Sequence, residues 1–239
     1  MHPVPRRENG GPRPINACCL LTAGPDTYIC IAMAAPSSVD ALLPLSFLEA
    51  VRSVDAPRDE QETEYVPELR NKRLGLSETV YAQIQRYAAA VRKSQRAPQE
   101  EAVALARLIG RRADAEEVFA SAGRILAQQS LETTSPLTRR VILVLPTLLA
   151  RPLALREARR IAARYLNGRI RRVGSSLMLE VADSVTVDSA PHETGCAYYE
   201  SVLRELVRTL VGGSGAVEHV RCLARGEGVC EWRAEWRRN

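Results

Sequence analysis

The hydrophobic periodicity of this chain changes near Asn167 and Gly168. Before this point, apolar residues recur at the spacing found along the buried face of a helix. After it, short β-branched segments separated by glycine, aspartate and serine are typical of strands. Helices followed by a module that mixes strands with one helix predict the α+β class, with a helical layer packed on a small antiparallel sheet.

The clearest single element is a helix over 194–211, for which Thr194 is the expected cap. A second helix, over 114–129, contains Gly123, which predicts that a neighbouring element approaches closely at this position. Further helices are predicted over 41–54, 74–92, 99–110, 136–150 and 155–166, with Pro152 separating the last two.

Five short strands complete the prediction. They cover 169–173, 176–181, 185–187, 216–224 and 229–236. The last two form a hairpin around residues 225–228. In its second strand, Cys230, Trp232 and Ala234 alternate with charged residues, which predicts one buried and one solvated face.

Composition divides the chain at two places. Residues 1–40 are rich in proline, glycine and alanine, and we interpret them as a poorly ordered tail or a mis-called N-terminal extension. Residues 41–110 are interpreted as a helical segment followed by a polar linker at 55–73, and 111–239 as the principal domain. The sequence leaves open whether 41–110 share the core of that domain.

Arginine dominates the charge of the chain. There are 33 lysine and arginine residues against 28 acidic ones, which gives a net charge of +5, and lysine occurs only at Lys72 and Lys93. Eight arginines cluster at positions 151, 156, 159, 160, 164, 169, 171 and 172. Because a charged helix face is usually only solvated, we favour that interpretation over an anion-binding surface. Nucleic acid is therefore not a predicted partner.

The sequence contains no candidate membrane span. The best apolar stretch, 15–35, is interrupted by Gly24, Pro25 and Asp26, whereas a span needs roughly 18 consecutive apolar residues. We therefore predict a cytoplasmic protein. A chain of this length can bury a hydrophobic core without disulfide bonds.

Three of the six cysteines, Cys196, Cys222 and Cys230, lie on three separate predicted elements near the end of the chain. Cys196 is in the first turn of the predicted 194–211 helix, where free N–H groups would stabilise a thiolate. The hairpin brings Cys222 and Cys230 together, and the start of the helix can lie against the same end. Three thiolates and one further ligand would complete a tetrahedral zinc site.

Two neighbouring residues, Glu218 and His219, are candidates for the fourth ligand. Regular strand alternation puts Glu218 on the same face as Cys222 and His219 on the other. Zinc favours the imidazole, and a β-bulge between 219 and 222 would turn His219 to the required face. Two alternatives remain open: three buried thiols that pack as small apolar groups, or a disulfide bond.

The segments GCAYY (195–199), VEHVRCLARG (217–226) and CEW (230–232) resemble the C-terminal signature of the 4-vinyl reductase domain family, and the resemblance extends over 165–236. This family includes the sensor domains of phenol-responsive transcriptional activators and a bacteriochlorophyll-biosynthesis protein. Its fold is similar to that of Golgi transport-particle subunits. In the sensor domains, three cysteines and an acidic residue three positions before the second cysteine bind structural zinc. Here that position is His219, and the acid stands at Glu218.

The resemblance implies that 111–239 form a non-catalytic binding or sensor domain for a hydrophobic small molecule. It also implies a structural Zn²⁺ and a homodimer. A tetrapyrrole carrier or accessory protein is one alternative, and an interaction scaffold like the transport-particle subunits is another. Catalysis is not predicted, because the chain has only 3 histidines and no nicotinamide or flavin fingerprint. If there is an activity, it would be of the 4-vinyl reductase type.

Overall fold

The structure, a computed structural model, describes residues 37–57, 73–133, 147–187, 189–212 and 215–235. Several predictions fall outside these ranges. They concern almost all of the predicted tail (1–36), the greater part of the linker (58–72), most of the predicted 136–150 helix (134–146), and Trp236.

The described residues confirm the α+β class, with six α-helices and six strands among them. The helices are α1 (Leu42–Asp55), α2 (Glu78–Arg92), α3 (Gln99–Ile109), α4 (Ala115–Glu132), α5 (Thr147–Tyr165) and α6 (Ala197–Val211). The strands are β1 (Ser38–Asp40), β2 (Arg96–Pro98), β3 (Gly168–Val173), β4 (Ser176–Val181), β5 (Val217–Arg221) and β6 (Cys230–Glu235). No helix in these ranges is long and apolar enough to cross a membrane.

Four strands form one antiparallel sheet in the order β3-β4-β6-β5, and β1 pairs separately with β2. The predicted hairpin is present as β5 and β6, with a short 3₁₀ helix, Leu223–Arg225, in its connection. The alternation in β6 buries Cys230, Trp232 and Ala234 completely. One face of the sheet is therefore apolar and packs against α6.

The strand predicted at 185–187 is wrong, because these residues form a turn. The Oγ of Ser184 accepts hydrogen bonds from the backbone N–H groups of Thr186 and Val187, at 3.3 and 3.2 Å. The backbone N–H of Val185 donates to the Oη of Tyr199 at 3.2 Å. Local bonds of this kind satisfy the backbone without a neighbouring strand.

Pro152 does not separate two helices, because α5 runs through it without a break. A proline inside a helix removes one backbone hydrogen bond, which burial of an apolar face can offset. Four α5 residues after Pro152 are at most 2 % exposed: Ala154, Ala158, Ile161 and Ala162.

Helix α6 occupies the centre of the fold and is buried on two faces. It packs against α4 on one side and against β5 and β6 on the other. Seven of its apolar and aromatic residues are buried: Tyr198, Tyr199, Val202, Leu203, Leu206, Val207 and Leu210. A continuous series of ring contacts runs through the helix, in the order Phe119, Phe47, Tyr198, Tyr199, Trp232 and His219.

Helix α1 belongs to the same hydrophobic core as α4 and α6. Its Phe47 meets the ring of Phe119 at 6.0 Å and that of Tyr198 at 5.1 Å between centroids. At the end of α1, the buried carboxylate of Asp55 accepts hydrogen bonds from Arg112 at 2.6 and 3.1 Å. Apolar contacts and an ion pair thus join the N-terminal helices to the rest of the described chain.

Most of the clustered arginines contact other groups of the protein. Arg164 pairs with Asp40 at 3.1 Å, and Arg159 donates to the carbonyl of Ile170 at 3.0 Å. Arg160, Arg171 and Arg172 also bind groups of the protein: Glu157, Glu231 and the carbonyl of Gly174. Five of the eight clustered arginines are thus engaged by groups of the protein, and the interpretation of the cluster as a solvated face stays a prediction.

The close approach predicted at Gly123 is confirmed. A Cβ atom added at this position would lie 2.3 Å from the backbone oxygen of Tyr198, at the contact between α4 and α6. We predict that Gly123→Ala lowers the free energy of unfolding by about 1–3 kcal/mol, as overpacking does in cores. Urea denaturation measures this change.

The matched control is Arg124→Ala, the next residue of α4, whose side chain is exposed. It should change the free energy of unfolding by no more than about 0.5 kcal/mol. A gain of stability in Gly123→Ala, as expected for a solvent-exposed helix glycine, would contradict the packing described for α4 and α6.

Candidate metal centre

Cys196 is placed by a 3₁₀ helix, Pro191–Cys196, that leads directly into α6. Thr194 is not the cap of α6, because its hydroxyl donates to the carbonyl of Pro191 at 2.7 Å and Cys196 itself is the N-cap residue. The carbonyl of Gly195 accepts from the hydroxyl of Thr186 at 2.8 Å. These local bonds fix the Cys196 backbone at the start of the central helix.

His219 is placed by an irregularity in β5. The pairing of β5 with β6 shifts between His219 and Arg221, so that Val220 is an extra residue with no partner in β6. The bulge predicted between 219 and 222 is therefore present. His219 lies opposite Trp232, and their rings stack with centroids 4.8 Å apart and planes 9° from parallel.

The structure brings the side chains of Cys196, His219, Cys222 and Cys230 together, with one possible ligand atom of each within 4.8 Å of all the others. The cysteines are at most 5 % exposed. The Sγ atoms of Cys196 and Cys222 are 3.8 Å apart. A tetrahedral site with zinc–sulfur bonds of about 2.3 Å has sulfur atoms about 3.8 Å apart, so this spacing suits a single zinc ion.

The surroundings of the Nε2 atom of His219 also suit a metal-ligating nitrogen. Its Nε2 atom is buried and has no hydrogen-bond partner among the described residues, while Nδ1 lies 3.3 Å from Oε2 of Glu193. A buried polar atom without a partner is costly, and bonding to a cation would remove that cost. The donor set and the unpartnered nitrogen together match a Cys₃His metal centre.

The three thiols differ in acidity. The pKa of Cys230 is lowered, chiefly by a hydrogen bond from the Cys196 thiol, with the backbone N–H of Leu223 also contributing. The Leu223 N–H lies 3.3 Å from the sulfur. The pKa of Cys196 is raised, first by its hydrogen bond to Cys230 and then by burial. Burial also raises the pKa of Cys222.

The start of the helix is predicted to stabilise a thiolate at Cys196, and the hydrogen bond to Cys230 and burial act against this by raising its pKa. The hydrogen bond between these two thiols acts on them in opposite directions, lowering the pKa of Cys230 and raising that of Cys196. Closely placed thiols share one charge because a second would repel the first. A divalent cation would stabilise the deprotonated form of all three.

Glu218, the alternative fourth ligand, lies outside the cluster. Its side chain is 63 % exposed, and its carboxylate contacts the guanidinium of Arg233 on the neighbouring strand. The bulge at Val220 explains this placement, because it reverses the face relationship that regular alternation gives to residues 218, 219 and 222.

Two acidic residues beside the cluster had no signal in the sequence. Glu193, three residues before Cys196, reaches His219 across the fold. Glu227 lies in the hairpin connection, where its carboxylate accepts the backbone N–H of Cys222 at 2.6 Å, and this bond lowers its pKa. Only the folded arrangement reveals these contacts, since no motif spacing marks either residue.

Four protein ligands would leave no open coordination position for a substrate or a water molecule, which is typical of structural zinc sites. Comparisons with protein-family models, curated proteins and solved structures gave no significant match to this chain. The geometry of the cluster is therefore the main support for a function.

A substitution at Gly195 tests whether zinc affinity depends on the position of Cys196. A Cβ atom added there would lie 2.4 Å from the backbone oxygen of Thr186, so the 3₁₀ helix must move in Gly195→Ala. We predict that this variant binds zinc at least about 10-fold more weakly, because displaced ligands cost metal affinity. Zinc competition with a chromophoric chelator measures the affinity. A wild-type affinity would show that the position of Cys196 does not depend on this contact.

Proposed function

We propose that this protein is a zinc-binding domain in which the metal is structural, and that it acts as a non-catalytic binding module for a hydrophobic small molecule. The observation that supports the zinc centre best is the Cys₃His group formed by the buried Cys196, Cys222 and Cys230 and the partly buried His219. Zinc suits this donor set, since three thiolates and one imidazole are a common closed arrangement for it.

A zinc ion at this position would join three parts of the fold. Cys196 begins α6, His219 belongs to β5, and Cys222 and Cys230 flank the hairpin connection. Because zinc would bind only the folded arrangement, its binding free energy would add to the stability of the fold. The ion would thus fasten the central helix to the outer hairpin of the sheet.

The small-molecule part of the proposal is supported by the resemblance of 165–236 to the 4-vinyl reductase domain family. A homodimer is proposed on the same basis. Tetrapyrrole binding would use free arginines to hold propionate groups, and the pairing of Arg159, Arg160, Arg164, Arg171 and Arg172 with protein groups makes this alternative weaker. An interaction scaffold would need neither a small hydrophobic molecule nor a tetrapyrrole.

Native mass spectrometry of the purified protein, with elemental analysis, tests both parts. We expect one zinc ion per chain and a retained small organic mass. A zinc-bound protein without any organic mass would contradict the small-molecule part and favour a scaffold. Absence of metal after purification and zinc addition would contradict the zinc centre.

Variants of the cluster test its role in stability. We predict that Cys222→Ser and His219→Ala lose bound zinc and melt at lower temperature. Zinc at 100 times its Kd stabilises a fold by about 2.7 kcal/mol. In a domain of this size, that corresponds to a fall in Tm of roughly 5–11 °C. Differential scanning calorimetry with and without zinc measures the change.

Glu218→Ala is the matched control for His219→Ala, because the two residues are neighbours in β5 but only His219 faces the cluster. The control should keep one zinc per chain and a zinc-dependent Tm. If Cys222→Ser and His219→Ala retained tightly bound zinc, or if Glu218→Ala lost it, the assigned ligand set would be contradicted.

A further inference from the structure

We propose that Glu193 is the positioning residue of the zinc centre, and that its carboxylate selects the orientation of the His219 ring. This inference rests on the proposed function, since it concerns how one ligand is presented to zinc. The Oε2 atom of Glu193 lies 3.3 Å from Nδ1 of His219, and the other ring nitrogen, Nε2, is buried without a hydrogen-bond partner among the described residues.

The stacking of His219 on Trp232 fixes the plane of the imidazole but not which of its two faces lies against Trp232. Both orientations related by a half-turn about the Cβ–Cγ bond keep the rings parallel. Only the orientation in the structure places Nδ1 beside Glu193, because the half-turn would put a ring carbon there instead. The contact with Glu193 therefore distinguishes the two orientations of the His219 ring, which the stacking on Trp232 does not.

The carboxylate also determines which nitrogen carries the proton. As an acceptor, Glu193 favours a proton on Nδ1, which leaves the lone pair of Nε2 free for a metal. Carboxylate–histidine–zinc arrangements of this kind orient the ring and strengthen the metal bond. Loss of such a partner typically reduces metal affinity about 10–100-fold.

Glu193 is itself held by charged neighbours. Its Oε1 atom lies 3.4 Å from Nε of Arg225, and the same nitrogen lies 3.2 Å from Oε2 of Glu227. Glu227 accepts the backbone N–H of Cys222 at 2.6 Å. A chain of polar contacts thus runs around the outside of the cluster and connects His219 to a second ligand residue.

The backbone of Glu193 supports the same assignment. Its φ of 61° lies in the left-handed region, which is uncommon for a residue other than glycine, asparagine or aspartate. This conformation is unfavourable for a residue with a side chain. Such strain is concentrated at functional positions that the surrounding structure holds in place. At this position the carboxylate of Glu193 lies beside the His219 ring.

The test compares zinc affinity in the wild type, Glu193→Ala, Glu193→Gln and Glu218→Ala by competition with a chromophoric chelator. We expect Glu193→Ala to bind zinc about 10–100-fold more weakly. Glu193→Gln should recover part of this loss, because its amide oxygen still accepts a hydrogen bond. Glu218→Ala removes the same charge from a side chain outside the cluster, and it should match the wild type.

Nitrogen NMR of the His219 ring in the zinc-loaded proteins gives a readout that a change of stability alone would not move. We expect a proton on Nδ1 and zinc on Nε2 in the wild type, and a loss of this single tautomer in Glu193→Ala. Wild-type affinity and an unchanged tautomer in Glu193→Ala would overturn the positioning role while leaving the zinc centre intact. A wild-type protein that binds no zinc would overturn both proposals.

Discussion

The burial of α6 on two faces is the constraint on which the rest of the fold depends. A helix in this position needs one apolar surface for the helical layer and another for the sheet, and Tyr198 and Tyr199 serve these two surfaces. The close contact at Gly123 lets α4 approach the backbone of α6 directly. Because Cys196 caps this central helix, any movement of the candidate metal centre is opposed by the packing of the whole core.

The second requirement is the extra residue in β5. Val220 shifts the register with β6, and as a result His219 and Cys222 face the same cluster although they are three positions apart. Trp232 supports the imidazole from the neighbouring strand. The site is thus built from strand pairing and ring stacking, and it needs no long loop. A metal bound there would act on a framework that is already ordered by apolar packing.

Sequence reasoning predicted the features that depend on local pattern and on side-chain chemistry. Apolar periodicity located the helices and the hairpin, and the preference of zinc for imidazole led to His219 and to the bulge that its use requires. Features that depend on distant contacts could not be predicted. The contact between Glu193 and His219, the pairing of β1 with β2, and the opposite pKa shifts of Cys196 and Cys230 all arise from residues brought together by folding.

X-ray absorption spectroscopy at the zinc edge of the zinc-loaded protein tests the central claim most directly, because it reports the ligand atoms themselves. We predict a four-coordinate ion with three sulfur ligands at about 2.3 Å and one nitrogen ligand at about 2.0 Å. Replacement of His219 by alanine should remove the imidazole contribution from the spectrum. A shell made only of oxygen and nitrogen atoms, or one without any imidazole, would contradict the Cys₃His centre.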